Sequence, residues 1–287
     1  MSATESNCIL ACIDNSELAN AVIDHAIWLA KTTQLPLTFL HTIEHSHHSD
    51  IPHHEGNLTP NMKESLLDEL SDEERTESKR LLAEGKLMLT KAKQKALQAS
   101  IENVSVTQRH GLLIEALHDL ESTINMVVLG SKGEDHLGNK KGLGSQLEAA
   151  VKAIHTPVFI VKSEFIEPKK MMIAYNGSPT SKKALALLAK DNGLASSVEL
   201  HIVSVQADLA DAEALSTEAK SLIGTSDIIT AAFSGEAINV LNQYQADKQI
   251  DITMMGAFSH GKIHGLVFGS FTTRMLLEMN SHFLLVR

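Results

Sequence analysis

A glycine-rich stretch in the middle of the chain carries residue types that bind phosphate. It runs from MVVLG (126–130) through Lys132 and Gly133 to Gly144-Ser145, and another apolar run, PVFIVK (157–162), follows. A strand that passes through glycines into a helix N-terminus can point backbone N–H groups at an anion. The glycines let the backbone approach a phosphate closely, while Ser145 adds a hydroxyl and Lys132 a positive charge. Phosphate is therefore the first ligand that this stretch indicates.

Asp14 is the second residue that could do chemistry, because it closes the first apolar run, NCILACI (7–13). In an open parallel sheet of strand order 3-2-1-4-5, a ligand lies outside the carboxyl ends of strands one and four, where the order reverses. Asp14 and the loop from Gly130 then face one crevice, and the carboxylate can accept hydrogen bonds from an adenine amino group or a ribose hydroxyl. The alternative is that the glycines only make a turn and that Asp14 caps the first helix.

The pattern occurs twice in the chain. Asp14 corresponds to Asn176, Gly130 to Gly256, and Gly144-Ser145 to Gly269-Ser270. The first pair is 162 residues apart and the glycine pair 126, so the first copy carries an insertion between its first strand and its glycine loop. Two related units are predicted: residues 1–164, with a helical insertion near 44–99, and residues 165–287.

The elements that must position these residues alternate between apolar strands and helices. Ser16 is the predicted N-cap of the first helix, and Ser178 with Pro179 opens the corresponding helix of the second unit. Near-continuous apolar runs such as LPLTFLHTI (35–43) are typical of strands buried on both faces of a parallel sheet. The predicted fold is α/β, with two tandem, doubly wound, parallel five-stranded sheets.

The insertion is expected to be helical. Pro60 begins a short helix that reaches about Leu70, and the capping-box pattern of Ser71 and Glu74 opens a long helix to about residue 99. The apolar positions near the inner face of that long helix are Leu81, Met88, Ala92 and Ala96. This helix is interpreted as a cover over one end of the sheet or as a surface for a partner.

Composition narrows the class of protein. The net charge of −10 argues against a nucleic-acid binder, whose footprint would be basic. Cys8 and Cys12 lie four residues apart in one predicted strand, too far for a disulfide. No apolar run approaches the length of a membrane helix, and the first residues do not form a signal peptide. A reducing cytoplasm is the expected location, with no membrane partner.

The combined pattern resembles the universal stress protein family in its tandem form. It consists of G-x(2)-G-x(9)-G-[ST] after the fourth strand, an aspartate after the first strand, and PVxxV at the end of the unit. The resemblance implies an adenine-nucleotide alpha-hydrolase-like fold of strand order 3-2-1-4-5, in which some members bind ATP and others do not. Carried over by position, the family's nucleotide contacts fall on Cys12, Ile13, Asp14, Thr42, Leu129, Gly130, Lys132, Gly133, Gly144, Ser145 and Gln146.

Both units depart from the family's pattern. The first has ten residues, 134–143, where the pattern has nine, and the second has Ser259 in place of the second glycine. Asn176 is neutral and does not reproduce an acceptor-only carboxylate. The first unit is therefore expected to bind nucleotide more readily than the second. The second-unit candidates are Asn176, Val203, Gly256, Gly269, Ser270 and Phe271.

Two other motifs give weaker indications. Residues 256–263 match G-x(4)-G-K-[ST] except at Ile263, which has no hydroxyl to ligate magnesium, so a true P-loop is disfavoured. A run of histidines offers ligands for zinc or nickel, although no organised carboxylate or cysteine pattern accompanies it. Its members are His41, His45, His47, His48, His53 and His54. A solvated loop is the simpler interpretation, and no metal site is assigned.

The function indicated is that of a stress-response sensor or regulator. By the resemblance, it binds ATP or another adenine nucleotide, with or without Mg²⁺, and at most hydrolyses it slowly. The alternatives are a scaffold of the same fold that binds a partner instead of nucleotide, and an enzyme that uses ATP in the crevice. In the family, fifth strands pair across a dimer, so VFIV and FLLV are expected to pair within one chain as a pseudo-dimer. A further homodimer of chains stays open.

Overall fold

The structure is a computed structural model of the 287-residue chain. It describes residues 7–44, 60–133, 144–189, 193–223, 228–257 and 270–287, with the backbone alone for 60–74 and Ser145. Histidines 45, 47, 48, 53 and 54, Ser259, Gly269 and the P-loop-like stretch after Ala257 lie outside these ranges. Within the described ranges, no helix is long and apolar enough to cross a membrane.

Strands and helices alternate along both halves of the chain. The first half contains β1 (Cys8–Cys12), α1 (Ala19–Thr33), β2 (Leu37–Ile43), α2 (Pro60–Gln98), β3 (Val104–His110), α3 (Leu113–Leu120), β4 (Ile124–Gly130), α4 (Ser145–Ala153) and β5 (Val158–Val161). The second half contains β6 (Lys170–Ala174), α5 (Pro179–Ala189), β7 (Glu199–Gln206), α6 (Leu209–Ile223), β8 (Ile228–Ser234), α7 (Ala237–Lys248), β9 (Ile252–Gly256), α8 (Ser270–Glu278) and β10 (His282–Val286).

All ten strands belong to one sheet of order β3-β2-β1-β4-β5-β10-β9-β6-β7-β8. Each half has the predicted order 3-2-1-4-5 with parallel neighbours, so the predicted α/β class and strand order are confirmed. The two halves join where β5 pairs antiparallel with β10, with Phe159 opposite Leu284. The two predicted five-stranded sheets are therefore joined edge to edge in one continuous sheet.

The apolar core forms two layers, one on each face of the sheet. One buried cluster contains residues of α1, α2, α5 and α6, and the other contains residues of α3, α4, α7 and α8. Every residue of β5 is buried, as expected for a strand covered on both faces. Both clusters contain residues from both halves of the chain, so the core is continuous across the β5–β10 junction.

Helix α2 differs from the prediction of two helices. It runs without a break from Pro60 to Gln98 over 39 residues, so the predicted start at Ser71 is wrong. A capping-box pattern is a local signal, and a serine or glutamate inside a helix costs little. Pro60 is the first helical residue, as predicted. The predicted inner face is confirmed, because Ala92 and Ala96 are buried while Leu81 and Met88 are half-buried.

The C-terminal half of α2 is an ordinary layer of the fold rather than part of an insertion. It packs on β2 and β3 so closely that a Cβ added at Gly85 would lie 2.3 Å from both His41 Cδ2 and Gln108 Nε2. The corresponding helix of the second half, α6, has 15 residues. The surplus of the first half is therefore the N-terminal part of α2 together with residues 44–59.

A pair of buried histidines lies where the halves join. The rings of His25 in α1 and His282 in β10 have centroids 4.2 Å apart, and His282 Nδ1 accepts a hydrogen bond from Lys162 N. Burial lowers the pKa of His25, and burial with the nearby charges of His25 and Lys162 lowers the pKa of His282 to about 3. Both rings are therefore neutral at pH 7.

Candidate functional site

A cavity of about 690 Å³ opens at the carboxyl ends of β1, β2 and β4, the point where the strand order of the first half reverses. Its wall contains Cys12, Ile13, Asp14, Asn15, Leu40, His41, Thr42, Ile43, Glu44, Glu77, Leu81, Gly111, Leu112, Leu113, Glu115, Leu129, Gly130, Lys132, Gly133, Gln146 and Leu147. Nine of the eleven sequence-predicted contacts are among them. The other two, Gly144 and Ser145, do not line the cavity.

Asp14 turns the chain after β1. Its Oδ1 accepts hydrogen bonds from Ser16 N at 3.1 Å and from Ser16 Oγ at 2.5 Å. The hydroxyl of Ser16 is thereby engaged, and α1 begins only at Ala19, with Leu18 at the N-cap and no side-chain cap. The prediction that Ser16 caps this helix is wrong, because the neighbouring carboxylate takes its hydroxyl. Asp14 thus organises a turn and lies in the cavity wall at the same time.

The loop after β4 approaches Asp14 from the other side. A Cβ added at Gly133 would lie 3.1 Å from Asp14 Oδ2, and one added at Gly130 would lie 3.4 Å from Leu18 Cβ. Gly144 is buried behind the loop, where its N–H donates to Ser131 O at 3.2 Å, and α4 begins at the next residue. These contacts bring Gly130, Gly133 and the start of α4 to one side of the crevice. Residues 134–143 lie outside the described part of the chain.

The β2 side of the cavity contains residues that sequence reasoning did not assign to it. His41 is buried, and its Nδ1 lies 3.0 Å from Ile13 O, a hydrogen bond that ties the end of β1 to β2. Thr42, which was predicted, follows it in the wall. His41 also belongs to the histidine run that was considered for zinc or nickel, to which no metal site was assigned. In the described residues, no group of three or more histidine, cysteine or acidic side chains could hold a metal ion.

Glu44 links three elements at the mouth of the cavity. Its Oε1 accepts hydrogen bonds from Leu113 N at 3.4 Å and from Gln146 Nε2 at 3.3 Å. It therefore joins the end of β2 to the starts of α3 and α4 and orients the predicted contact Gln146. The sequence carried a signal for this residue, because Glu44 follows the second strand directly, much as Asp14 follows the first.

The charges around the cavity are mostly negative. Among the described residues, four carboxylates, Asp14, Glu44, Glu77 and Glu115, line it together with one ammonium group, Lys132. Glu77 is partly neutralised, because Arg80 Nη2 lies 2.5 Å from its Oε1, and this hydrogen bond lowers the pKa of Glu77. The wall thus offers mainly hydrogen-bond acceptors, which suit hydroxyl and amino groups of a ligand.

Cys12 contributes an uncharged surface to this wall. Burial, and then the nearby Asp14 carboxylate, raise the pKa of its thiol well above the ordinary value. The thiol is therefore protonated at neutral pH. A protonated thiol is a poor nucleophile, so Cys12 acts in the cavity as a small apolar group.

The chain is similar to known proteins in both its sequence and its fold. The family model described as "Universal stress protein family" matches residues 7–162, more than half of the chain. The chain is also similar to the universal stress protein Slr1230 of Synechocystis sp., with 31% identity over 279 residues that cover 93% of this chain and 95% of the relative. The chain belongs to the universal stress protein family.

Solved structures of universal stress proteins share the fold. A structure of one from Archaeoglobus fulgidus DSM 4304 superposes with a TM-score of 0.71 at 19% identity and covers 98% of both chains. A Pseudomonas aeruginosa UCBPP-PA14 structure assigned to the same family superposes with a TM-score of 0.63 at 17% identity, over 98% of this chain and 93% of the other. At these identities, the likeness concerns the fold alone.

The second half of this universal stress protein builds the equivalent crevice differently. Asn176 Oδ1 accepts a hydrogen bond from Ser178 N at 3.2 Å, which repeats the turn of Asp14. Ser178 Oγ, however, accepts from Ser181 N at 3.2 Å and caps α5, which begins at Pro179 as predicted. Gly177 between them has φ +73°, a conformation that favours glycine.

The start of helix α5 lies close to Gly256, the last residue of β9. A Cβ added at Gly256 would lie only 2.4 Å from Thr180 Oγ1 and 2.8 Å from the Thr180 carbonyl carbon. The start of the helix thus fills the space beside Gly256, whereas the corresponding Leu18 stands farther from Gly130.

The other second-half candidates are not gathered around a described cavity. Val203 is 1% exposed, and strand register pairs it with Ala174 as Leu40 pairs with Cys12, so the position equivalent to Thr42 is Val205. Ser270 is the first residue of α8, and Phe271 is 37% exposed. Neither the large cavity nor a small one beside Val286 is lined by Asn176, Val203, Gly256, Ser270 or Phe271.

Proposed function

We propose that this universal stress protein binds an adenine nucleotide in the cavity of its first half and acts as a sensor or regulator without efficient catalysis. The observation that carries the proposal is the convergence of Asp14, Thr42, Gly130, Gly133 and Gln146 on one cavity at the reversal of strand order. In open parallel sheets, this is where ligands bind. ATP, ADP and AMP all contain the groups that such a wall recognises.

The wall suits the nucleoside and the phosphates of such a ligand at different places. The carboxylates of Asp14 and Glu44 are acceptors for ribose hydroxyls or for the adenine amino group. The backbone from Gly130 to Gly133 approaches the N-terminus of α4, and together these supply N–H donors for phosphate. Lys132 adds a positive charge there.

The carboxylates of the cavity wall would repel the phosphates of a nucleotide unless a divalent cation binds with them. In the described part of the wall, four acidic side chains and one lysine line the cavity, so a triphosphate adds further negative charge to an acidic surface. We propose that Mg²⁺ accompanies ATP and offsets this repulsion. The affinity for ATP should then depend on Mg²⁺ more strongly than the affinity for AMP does.

Calorimetric titration with ATP, ADP and AMP, each with and without Mg²⁺, tests the proposal. Asp14→Ala should weaken binding by about 1–3 kcal/mol, since it leaves a ligand donor without its partner. Asn176→Ala, at the equivalent turn of the second half, is the matched control and should leave the affinity unchanged. Equal affinities for the wild type and Asp14→Ala would remove Asp14 from the site.

The acidic lining also favours a second candidate function, a scaffold that binds a partner rather than a nucleotide. In that case the N-terminal part of α2, which has no counterpart in the second half, is the surface to consider. An absence of binding of any adenine nucleotide at millimolar concentration would select this candidate.

We further propose that the chain is a tandem of two domains, residues 1–164 and 165–287, which form an intramolecular pseudo-dimer. The antiparallel pairing of β5 with β10, which joins two halves of equal strand order, supports this arrangement. Both cysteines are free thiols, which suits the proposed cytoplasmic location.

A further inference from the structure

Strand β8 ends the sheet on the side of the second half. Its sequence, IITAAFS, contains no charged residue and no proline. Two of its large apolar side chains are exposed, Ile229 at 43% and Phe233 at 36%. An uncharged end strand with exposed apolar side chains is a template for pairing with another strand.

The hydrogen bond after the end of β8 shows which of its backbone N–H and C=O groups face β7. Gly235 N donates to Gln206 O of β7, and N–H groups alternate in direction along a strand. The N–H and C=O groups of Ile229, Ala231 and Phe233 therefore point to β7. Those of Thr230 and Ala232 point away from the sheet, where β8 has no strand neighbour in the described part of the chain.

The opposite end of the sheet is protected, which makes the contrast informative. Strand β3 carries Arg109 and His110, and Arg109 Nη1 forms an ion pair with Asp119 at 2.9 Å. Helix α2 packs tightly on it, with Gln108 Nε2 donating to Leu82 O at 3.3 Å. A helix packs on each end strand, α2 on β3 and α6 on β8, so the helices do not distinguish them. Charged residues in an end strand are a device that prevents edge pairing. The sequence of β8 contains no charge of this kind.

We propose that β8 is a homodimer interface, at which the β8 strands of two copies of this chain pair antiparallel about a two-fold axis at Ala231. In this register, Thr230 lies opposite Ala232 of the other copy, and these outward-pointing residues exchange backbone hydrogen bonds. Ile229 lies opposite Phe233, an apolar cross-strand pair of a favourable kind. The small Ala231 side chains meet at the axis, where the strands are closest.

Two further features make a second copy the fitting occupant. The pairing is self-complementary, and no like charges oppose each other, as an isologous contact requires. The chain also uses antiparallel end-to-end strand pairing already, where β5 meets β10. A β8 contact would continue the same sheet into a second molecule.

Sedimentation velocity of the full chain without nucleotide tests this interface. The wild type should sediment with about twice the 31.2 kDa chain mass, and Thr230→Pro should sediment as a monomer. Proline is tolerated where an edge N–H faces solvent, so the variant should keep its circular dichroism and melting temperature. Val106→Pro, at the matched outward position of β3, should remain dimeric.

Ile229→Lys is the second test, because it adds a charge to the interface without changing the backbone. It should also yield monomers, and it decides the question if Thr230→Pro does not fold. A monomeric wild type at high micromolar concentration would overturn the proposal. So would a folded Thr230→Pro or Ile229→Lys variant that stays dimeric, or dissociation caused by Val106→Pro alone.

Discussion

The two halves of this molecule have a similar turn after their first strand but differ in the helix that follows it. In the first, the Asp14 carboxylate takes the hydroxyl of Ser16, α1 starts late, and a large cavity remains. In the second, Asn176 accepts a hydrogen bond from the backbone N–H of Ser178, and Ser178 Oγ caps α5. The next helix begins at Ala19 in the first half, and at Pro179, directly after the capping Ser178, in the second.

The residue at the start of that helix also differs in its distance from the glycine that ends the fourth strand of its half. Thr180 of α5 lies against Gly256, while Leu18 before α1 stands back from Gly130. The two crevices thus differ in the contacts beside this glycine as well as in the charge of the turn residue. We therefore expect a nucleotide in the first crevice and none in the second.

The largest effect should come from Gly130→Val. A Cβ at this position already lies 3.2 Å from Lys132 O, and the valine methyl groups would extend further into the space between the loop and Leu18. ATP binding should fall below detection in calorimetry, while circular dichroism and cooperative melting are retained. Normal affinity in this variant would place the phosphates elsewhere.

Acid should weaken the junction that holds the two crevices in one sheet. His282, with a folded-state pKa of about 3, and His25, whose pKa is also lowered, stay neutral when folded, whereas unfolded histidines take up protons below about pH 6.5. The unfolded state then binds more protons between about pH 6.5 and pH 3. The free energy of unfolding should therefore fall as pH falls through this window, by up to about 1.4 kcal/mol per pH unit for His282, and His25 contributes in the same direction.

Chemical denaturation at several pH values measures this slope. His282→Phe should flatten it, whereas His118→Gln, at an exposed position of α3, should not. An unchanged slope in His282→Phe would show that the histidine pair does not govern the acid response. Equal loss of structure in both halves would show that the junction, and not one crevice, is the acid-sensitive region.

Gly256→Ala should lower the free energy of unfolding without changing ATP binding in the first crevice. The added methyl group would lie 2.4 Å from Thr180 Oγ1 and 2.8 Å from its carbonyl carbon, so helix α5 must shift. Overpacking of this kind costs about 1–3 kcal/mol of unfolding free energy. Urea denaturation measures it, and ATP affinity in the first crevice should be unaffected. Lost binding with unchanged stability would assign the ligand to the second crevice.

The smallest effects should come from exchanging the two turn residues. Asp14→Asn keeps the size of the side chain but removes a charge, and it should weaken ATP binding by about 0.5–1.5 kcal/mol, the range for one hydrogen bond. Asn176→Asp should not create a second site, because Thr180 still occupies the space beside Gly256. A second binding event in calorimetry of Asn176→Asp would show that charge alone distinguishes the crevices.

The strand order and the candidate contacts could be predicted because they depend on patterns that repeat. Apolar runs such as VFIV mark strands buried on both faces, and the spacing of Asp14 and Gly130 places them at one edge of the sheet. Nine of the eleven first-unit candidates line the cavity for this reason. Their role in nucleotide binding stays a prediction.

Some helix starts and side-chain contacts could not be predicted from the sequence. They depend on which of several possible partners a side chain contacts. Ser16 has the right type for an N-cap, but its hydroxyl bonds to Asp14. Ser71 has the right pattern for a helix start, yet α2 continues through it. The roles of His41 and Glu44 arise from contacts with Ile13 and Gln146 that are distant in sequence. Periodicity and local propensity carry no information about such contacts.

Native mass spectrometry of gently purified protein, titrated with ATP, tests the central claim most directly. The account predicts one adenine nucleotide per chain in the wild type and in Asn176→Ala, and none in Gly130→Val at the same ATP concentration. Two nucleotides per chain, or one that disappears in Asn176→Ala and persists in Gly130→Val, would contradict it.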